Sequence, residues 1–141
     1  MKLTSFYPVL MTSRVKDLRN FYCEHFNFSI AFEADWYVSS KKIQEGQVFE
    51  LALVESSHPT IPAGFRTNTR GVILNFEVED ARKAYERLVK QHGIEELMSL
   101  RDEAFGQRHF IIVDPAGNLV DVIQNIAPGE DFEDNYTDAG R

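Results

Sequence analysis

The sequence predicts an α+β protein of two tandem β-α-β-β-β modules, and three observations carry that reading. Short stretches of β-prone and alternating residues surround two stretches of helical period. The order of these stretches occurs twice along the 141 residues. The two copies also hold a constant spacing of 66 residues, which pairs Leu10 with Phe76, Thr12 with Val78, Leu18 with Ala84, Tyr22 with Leu88 and Asn27 with Gly93. A repeated supersecondary unit is the signature of a duplicated module.

The first module, residues 1–54, opens with a strand over Phe6 to Thr12. Val15, Leu18, Tyr22 and Phe26 then recur at three and four residues, which defines one buried helix face. Ser13 is the expected N-cap, and Asn27 suits the left-handed position just past the helix. Phe28 to Ala34 and Trp36 to Ser40 read as strands around a turn at Asp35, and Val48 to Val54 as a fourth strand.

Residues 55–70 hold Pro59, Pro62 and Gly64 among polar neighbours and read as a linker. The second module, residues 71–126, starts with a strand over Val72 to Val78. A helix follows from Asp80, with Ala81, Ala84, Leu88 and Val89 inward and Gly93 closing it. Glu95 to Arg101 and Arg108 to Val113 are the next strands. Asp114-Pro115-Ala116-Gly117-Asn118 is a turn, and Leu119 to Gln124 is the last strand. Residues 127–141 form an acidic tail, with Glu130, Asp131, Glu133, Asp134 and Asp138 against Arg141 alone; it reads as solvated, unless Phe132 and Tyr136 dock it on a partner or a cavity mouth.

Bulk composition narrows the function. A net charge of −7 speaks against a nucleic-acid surface. No apolar run reaches the roughly 20 residues that cross a bilayer. The one cysteine, Cys23, sits in the first helix pattern and reads as packing rather than as a nucleophile. A single cysteine and an N-terminus without a secretory apolar stretch lead us to expect a cytoplasmic protein.

Two motifs add a resemblance. Pro8-Val9-Leu10-Met11-Thr12-Ser13 precedes a short helix, then Phe21-Tyr22 and Phe26-Asn27-Phe28. Phe105-Gly106-Gln107-Arg108-His109-Phe110 precedes Asp114-Pro115-Ala116-Gly117-Asn118-Leu119-Val120-Asp121, and Asn75-Phe76-Glu77-Val78-Glu79-Asp80-Ala81 lies between them. The set resembles the vicinal oxygen chelate superfamily, which holds glyoxalases, bleomycin-resistance proteins and dioxygenases. The resemblance spans Phe6 to Ile126 and implies a curved mixed sheet around one cavity, often completed in a homodimer.

Many members hold a divalent metal in that cavity. Carried over residue by residue, its ligand positions fall on Tyr7, Glu50, Ile73 and Asp121. Isoleucine offers no donor, and a phenol binds poorly until it loses a proton near pH 10. A divalent metal is therefore disfavoured, and no cofactor is expected. Glu50 and Asp121 are the candidate catalytic carboxylates, expected to mirror each other in the duplication. Tyr7, Trp36, Ile73, Asn75, Phe105 and Arg108 are candidate ligand contacts, although Arg108 could equally pair with a nearby carboxylate. Two functions stay open: a binding protein for a cationic or amphiphilic small molecule in a metal-free cavity, or a metal-dependent lyase, isomerase or dioxygenase.

Overall fold

The computed structural model describes residues 1–140; Arg141, counted above against the tail's acids, lies outside the described residues. The elements run β1 (Val9–Thr12), α1 (Val15–Phe26), β2 (Ser29–Ala34), β3 (Tyr37–Gln44) and β4 (Gln47–Glu55) in the first module. The second repeats the order as β5 (Ile73–Glu77), α2 (Ala81–Tyr85, continued by a π-helical turn over Glu86–Gln91), β6 (Glu96–Glu103), β7 (Gln107–Val113) and β8 (Leu119–Asn125). Each module has its own four-stranded mixed sheet, ordered β1-β4-β3-β2 and β5-β8-β7-β6, with the first pair parallel and the rest antiparallel. This is the predicted glyoxalase-like α+β architecture.

In the first module α1 buries Val15, Leu18, Phe21, Tyr22 and Phe26, so the face read from spacing is the packed one. It covers the sheet face that carries Val38, Leu51 and Leu53, each at most 4% exposed. Asn27 ends the helix at φ 58 and donates its N–H to the Tyr22 carbonyl. Ser13 is not the N-cap. Arg14 holds that position without a side-chain cap, and its N–H bonds the Thr12 hydroxyl instead.

Residues 55–70 do not hang free of the first module. Thr69 exchanges two 2.8 Å hydrogen bonds with Met11, Asn68 accepts from the Ser13 N–H, and Ser56 donates to the Thr12 carbonyl. The first compact unit therefore runs Met1–Gly71, and it also takes in the turn Asp114–Ala116. Asp114 is 3% exposed there and accepts from the Tyr22 hydroxyl at 2.7 Å and from the Ala116 N–H at 2.9 Å. Burial first, and the Asp114 charge second, keep Tyr22 protonated well beyond the ordinary phenol range.

In the second unit α2 and its π-helical turn bury Ala81, Tyr85 and Leu88. The spacing had pointed to Ala84 and Val89, which are only half-buried, and had missed Tyr85. The Tyr85 ring meets Phe110 edge-on at 5.2 Å. Asp80 caps the helix from its side chain, and Gly93 closes it at φ 66. The tail is exposed as expected, with only Pro128 and Phe132 partly covered, but it is fastened at several points. Gly129 donates to the Ala104 carbonyl, Ile126 donates to that of Gly106, and the Tyr136 hydroxyl donates to that of Phe105.

Candidate functional site

Strand alternation sorts each sheet into a helix-covered face and an open face. In the first module the pairs Tyr37↔Val54, Ser39↔Ala52 and Lys41↔Glu50 share the open face, and Val9 joins it opposite Ala52. At one end of this face lies a pocket of about 480 Å³ lined by Val9, Phe32, Trp36, Tyr37, Val54, Thr60 and Ile61. The Trp36 indole stacks on the His58 ring at 3.8 Å and 10°. The Tyr37 phenol hydrogen-bonds Tyr7, and burial with that bond raises its ionisation above the ordinary phenol value.

Glu50 sits further along the same face, its side chain 14% exposed. One carboxylate oxygen accepts the Ser5 hydroxyl, and the other lies 3.3 Å from the Lys41 ammonium. The Ser5 hydrogen bond first, then Lys41, holds its carboxyl below the usual range. Such a group is ionised and engaged at neutral pH. It suits an anchor better than a base poised near neutrality.

The open face of the second module carries charge instead. Asn75 pairs with Asp121, Ile111 with Asp121 from the other side, and His109 with Ile123. His109 is 6% exposed, with Nδ1 at 2.9 and 3.1 Å from the two Asp121 oxygens and Nε2 at 3.2 Å from Glu103. An imidazole can donate to both carboxylates only when both nitrogens carry hydrogen. Arg101 closes the row on Glu103, whose carboxyl is held low by Arg101 first and by His109 second. The Phe105 ring lies 6.4 Å from that of His109 and 6.3 Å from that of the tail's Phe132.

The candidates from sequence therefore fall into three groups. Tyr7, Trp36 and Glu50 lie on the first module's open face. Asn75, Asp121 and Ile73 lie on the second's, with Phe105 against His109. Arg108 does not join them. It sits opposite Gln124 on the helix side of its sheet and forks onto Asp102 at 2.7 and 3.0 Å. The expected mirror of Glu50 and Asp121 is also corrected. Val9 pairs with Ala52, and its repeat partner Asn75 pairs with Asp121, so Asp121 mirrors Ala52.

His109 and Glu103 were missed. The signal was present, because Phe110 and Ile112 face α2 and alternation then sends His109 to the side of Asp121. The family's divalent metal requires several nitrogen or oxygen donors free to converge on one ion. Here Ile73 is hydrocarbon, Tyr7 bonds Tyr37, Glu50 is held by Ser5 and Lys41, and Asp121 is held by His109. These residues do not fit such an ion.

The family model described as the glyoxalase/bleomycin resistance protein/dioxygenase superfamily matches residues 6–122. Solved structures agree in fold. A glyoxalase/bleomycin resistance protein/dioxygenase from Nocardioides has TM-score 0.70 at 19% identity, covering 92% of this chain and 87% of that one. A lactoylglutathione lyase from Agrobacterium tumefaciens has TM-score 0.67 at 17% identity, covering 88% and 96%. A glyoxalase-related enzyme from Fulvimarina pelagi has TM-score 0.68 at 19% identity, covering 87% and 89%. No curated protein matches significantly.

Proposed function

The chain belongs to the glyoxalase/bleomycin resistance/dioxygenase superfamily, and from that premise we propose that it binds a small organic molecule in the Trp36 pocket without a transition metal. The observation that carries this reading is the pocket itself: about 480 Å³ in volume and walled by Val9, Phe32, Trp36, Tyr37 and Val54. Small-molecule sites are concave, mainly apolar and sparing in polar anchors. Aromatic walls stack on planar ligands and gain about 0.5–1.5 kcal/mol beyond burial for each well-placed ring pair. The donor chemistry supports the metal-free part, since each acidic side chain at a metal position already has a hydrogen-bonding or ionic partner: Lys41 and Ser5 at Glu50, and His109 at Asp121.

The lone tryptophan makes the test direct. Planar aromatic compounds added to the protein should change Trp36 fluorescence saturably, and Trp36→Ala with Tyr37→Ala should remove binding measured by calorimetry. Protein purified without affinity-tag metal should carry well under one transition-metal ion per chain. A stoichiometric ion would overturn the metal-free part, and no response to any planar ligand would overturn the pocket.

A second reading, an enzyme of the lyase, isomerase or dioxygenase type, has one specific support. His109 between Asp121 and Glu103 is the kind of oriented imidazole that general acid–base chemistry uses. Turnover lost in His109→Gln but retained in Trp36→Ala would favour it. We also expect a cytoplasmic homodimer without nucleic-acid or membrane partners. Exposed Phe6, Ile43, Val48 and Phe49 leave apolar surface for a second copy, which light scattering at micromolar concentration would reveal. No helix among the described residues is long and apolar enough to cross a membrane.

A further inference from the structure

We propose that the first module's open face takes a ligand with an apolar ring at one end and a carboxylate at the other, the ring in the Trp36 pocket and the carboxylate at Lys41. This rests on reading that pocket as the ligand site, and it names the ligand's class. The pairs Tyr37↔Val54, Ser39↔Ala52 and Lys41↔Glu50 follow one another along the face. Each step is two residues, about 7 Å of strand. The face therefore grades from hydrocarbon and aromatic rings to polar groups over two steps.

The polar end is rich in donors. Lys41 carries three ammonium hydrogens, its side chain is 45% exposed, and the 3.3 Å contact with Glu50 accounts for one of them. The Ser39 hydroxyl lies one step nearer the pocket. Tyr7 precedes Val9 by two residues, is 39% exposed, and brings its phenol to Tyr37. The acceptor on this stretch, Glu50, has both oxygens engaged, by Ser5 and by Lys41. It is therefore poorly placed to receive a cationic head, whereas the ammonium can still donate to an anion.

The net charge of −7 argues the other way, toward cations, but only at long range. At physiological ionic strength such fields fade beyond about 8 Å. A charge-assisted hydrogen bond at contact distance outweighs them.

Three probes of equal length separate the possibilities: 4-phenylbutanoate, 4-phenylbutanamide and 4-phenylbutylamine. Each is titrated against the full chain at about 0.15 M salt, with Trp36 fluorescence and calorimetry as readouts. The carboxylate should bind roughly tenfold more tightly than the amide, as one charge-assisted bond allows, and the amine most weakly. Lys41→Met should bring the carboxylate down to the amide's affinity, with a single cooperative melting transition confirming the fold. Glu50→Gln should strengthen the carboxylate, because it removes a competitor for Lys41. Equal binding of all three, or tightest binding of the amine, overturns the anionic head and leaves the pocket standing. If none of the three binds, the pocket reading falls and this inference with it.

Discussion

The two modules share one chain order and one strand order, yet their open faces have opposite characters. In the first, Val9, Phe32, Trp36, Tyr37 and Val54 build an apolar hollow, and the ion pair beyond it, Lys41 with Glu50, is partly in water. In the second, the equivalent face is crossed by Arg101, Glu103, His109 and Asp121, with His109 almost wholly buried. Duplication copies the backbone, because alternation and helical period survive many substitutions. It does not copy the chemistry of residues that point away from the helix, because nothing in the core constrains them. One face presents an apolar hollow, and the other a row of paired polar groups.

That contrast can be broken most forcefully at His109. His109→Leu leaves the buried Asp121 without its imidazole hydrogen bond, which should cost about 3 kcal/mol in urea unfolding. The double variant with Asp121→Leu should recover most of that loss. A cost below about 1 kcal/mol would mean that the second face behaves like the solvated first one.

Gly106→Ala tests the turn that the tail fastens. Gly106 has φ +109, and an added Cβ would stand 3.0 Å from both the Ile126 carbonyl and the Tyr136 hydroxyl. Strain and lost tail contacts should together cost about 1–3 kcal/mol, and limited proteolysis should then cut within residues 127–140. An unchanged digestion pattern would show that the tail is not held there.

Tyr22→Phe should cost about 1–3 kcal/mol, because the buried Asp114 loses its hydroxyl donor. Thermal or urea unfolding checks it. The same kind of deletion on the exposed pair, Lys41→Met, should cost no more than about 1 kcal/mol, and the ratio of the two measures how much burial amplifies a polar contact.

The smallest effect concerns pH. Glu50 has its folded-state ionisation held below the ordinary 4.5, so its contribution is present above that value and fades as pH falls through the depressed one. Wild type should therefore exceed Glu50→Gln in melting temperature near neutrality, with the gap narrowing in acid. A gap that widens in acid would reverse the sign assigned to the Ser5 and Lys41 contacts.

Much of this was legible in the residues themselves. The order of both modules, the buried face of α1 and the left-handed closures at Asn27 and Gly93 depend on local periodicity and backbone preference. The side of the sheet that Glu50 and Asp121 occupy follows from alternation alone. Arg108 and His109 show how far that rule reaches: alternation applied from Phe110 would have sent Arg108 to the helix side and His109 to the open one. A register of partners was harder to read. Asp121 mirrors Ala52 rather than Glu50 because the parallel pairing joins Val9 to Ala52, 43 residues on, but its repeat partner Asn75 to Asp121, 46 residues on.

What only the tertiary structure decided is who meets whom. Ser5 reaches Glu50 across 45 residues, Tyr22 reaches Asp114 across 92, and His109 reaches Asp121 across 12. The stretch around Pro59 and Pro62 reads as a linker and the acidic tail as solvated, and the tail is indeed exposed, because composition reports a segment's average affinity for water. It does not report the backbone donors and carbonyls waiting for that segment at Met11, Ala104 and Phe105. Local pattern determined the modules and their faces, since it needs only the geometry of neighbouring residues. The pocket, the charge row and the fastened tail required the strands to pair first, because long-range partners exist only once the chain has closed on itself.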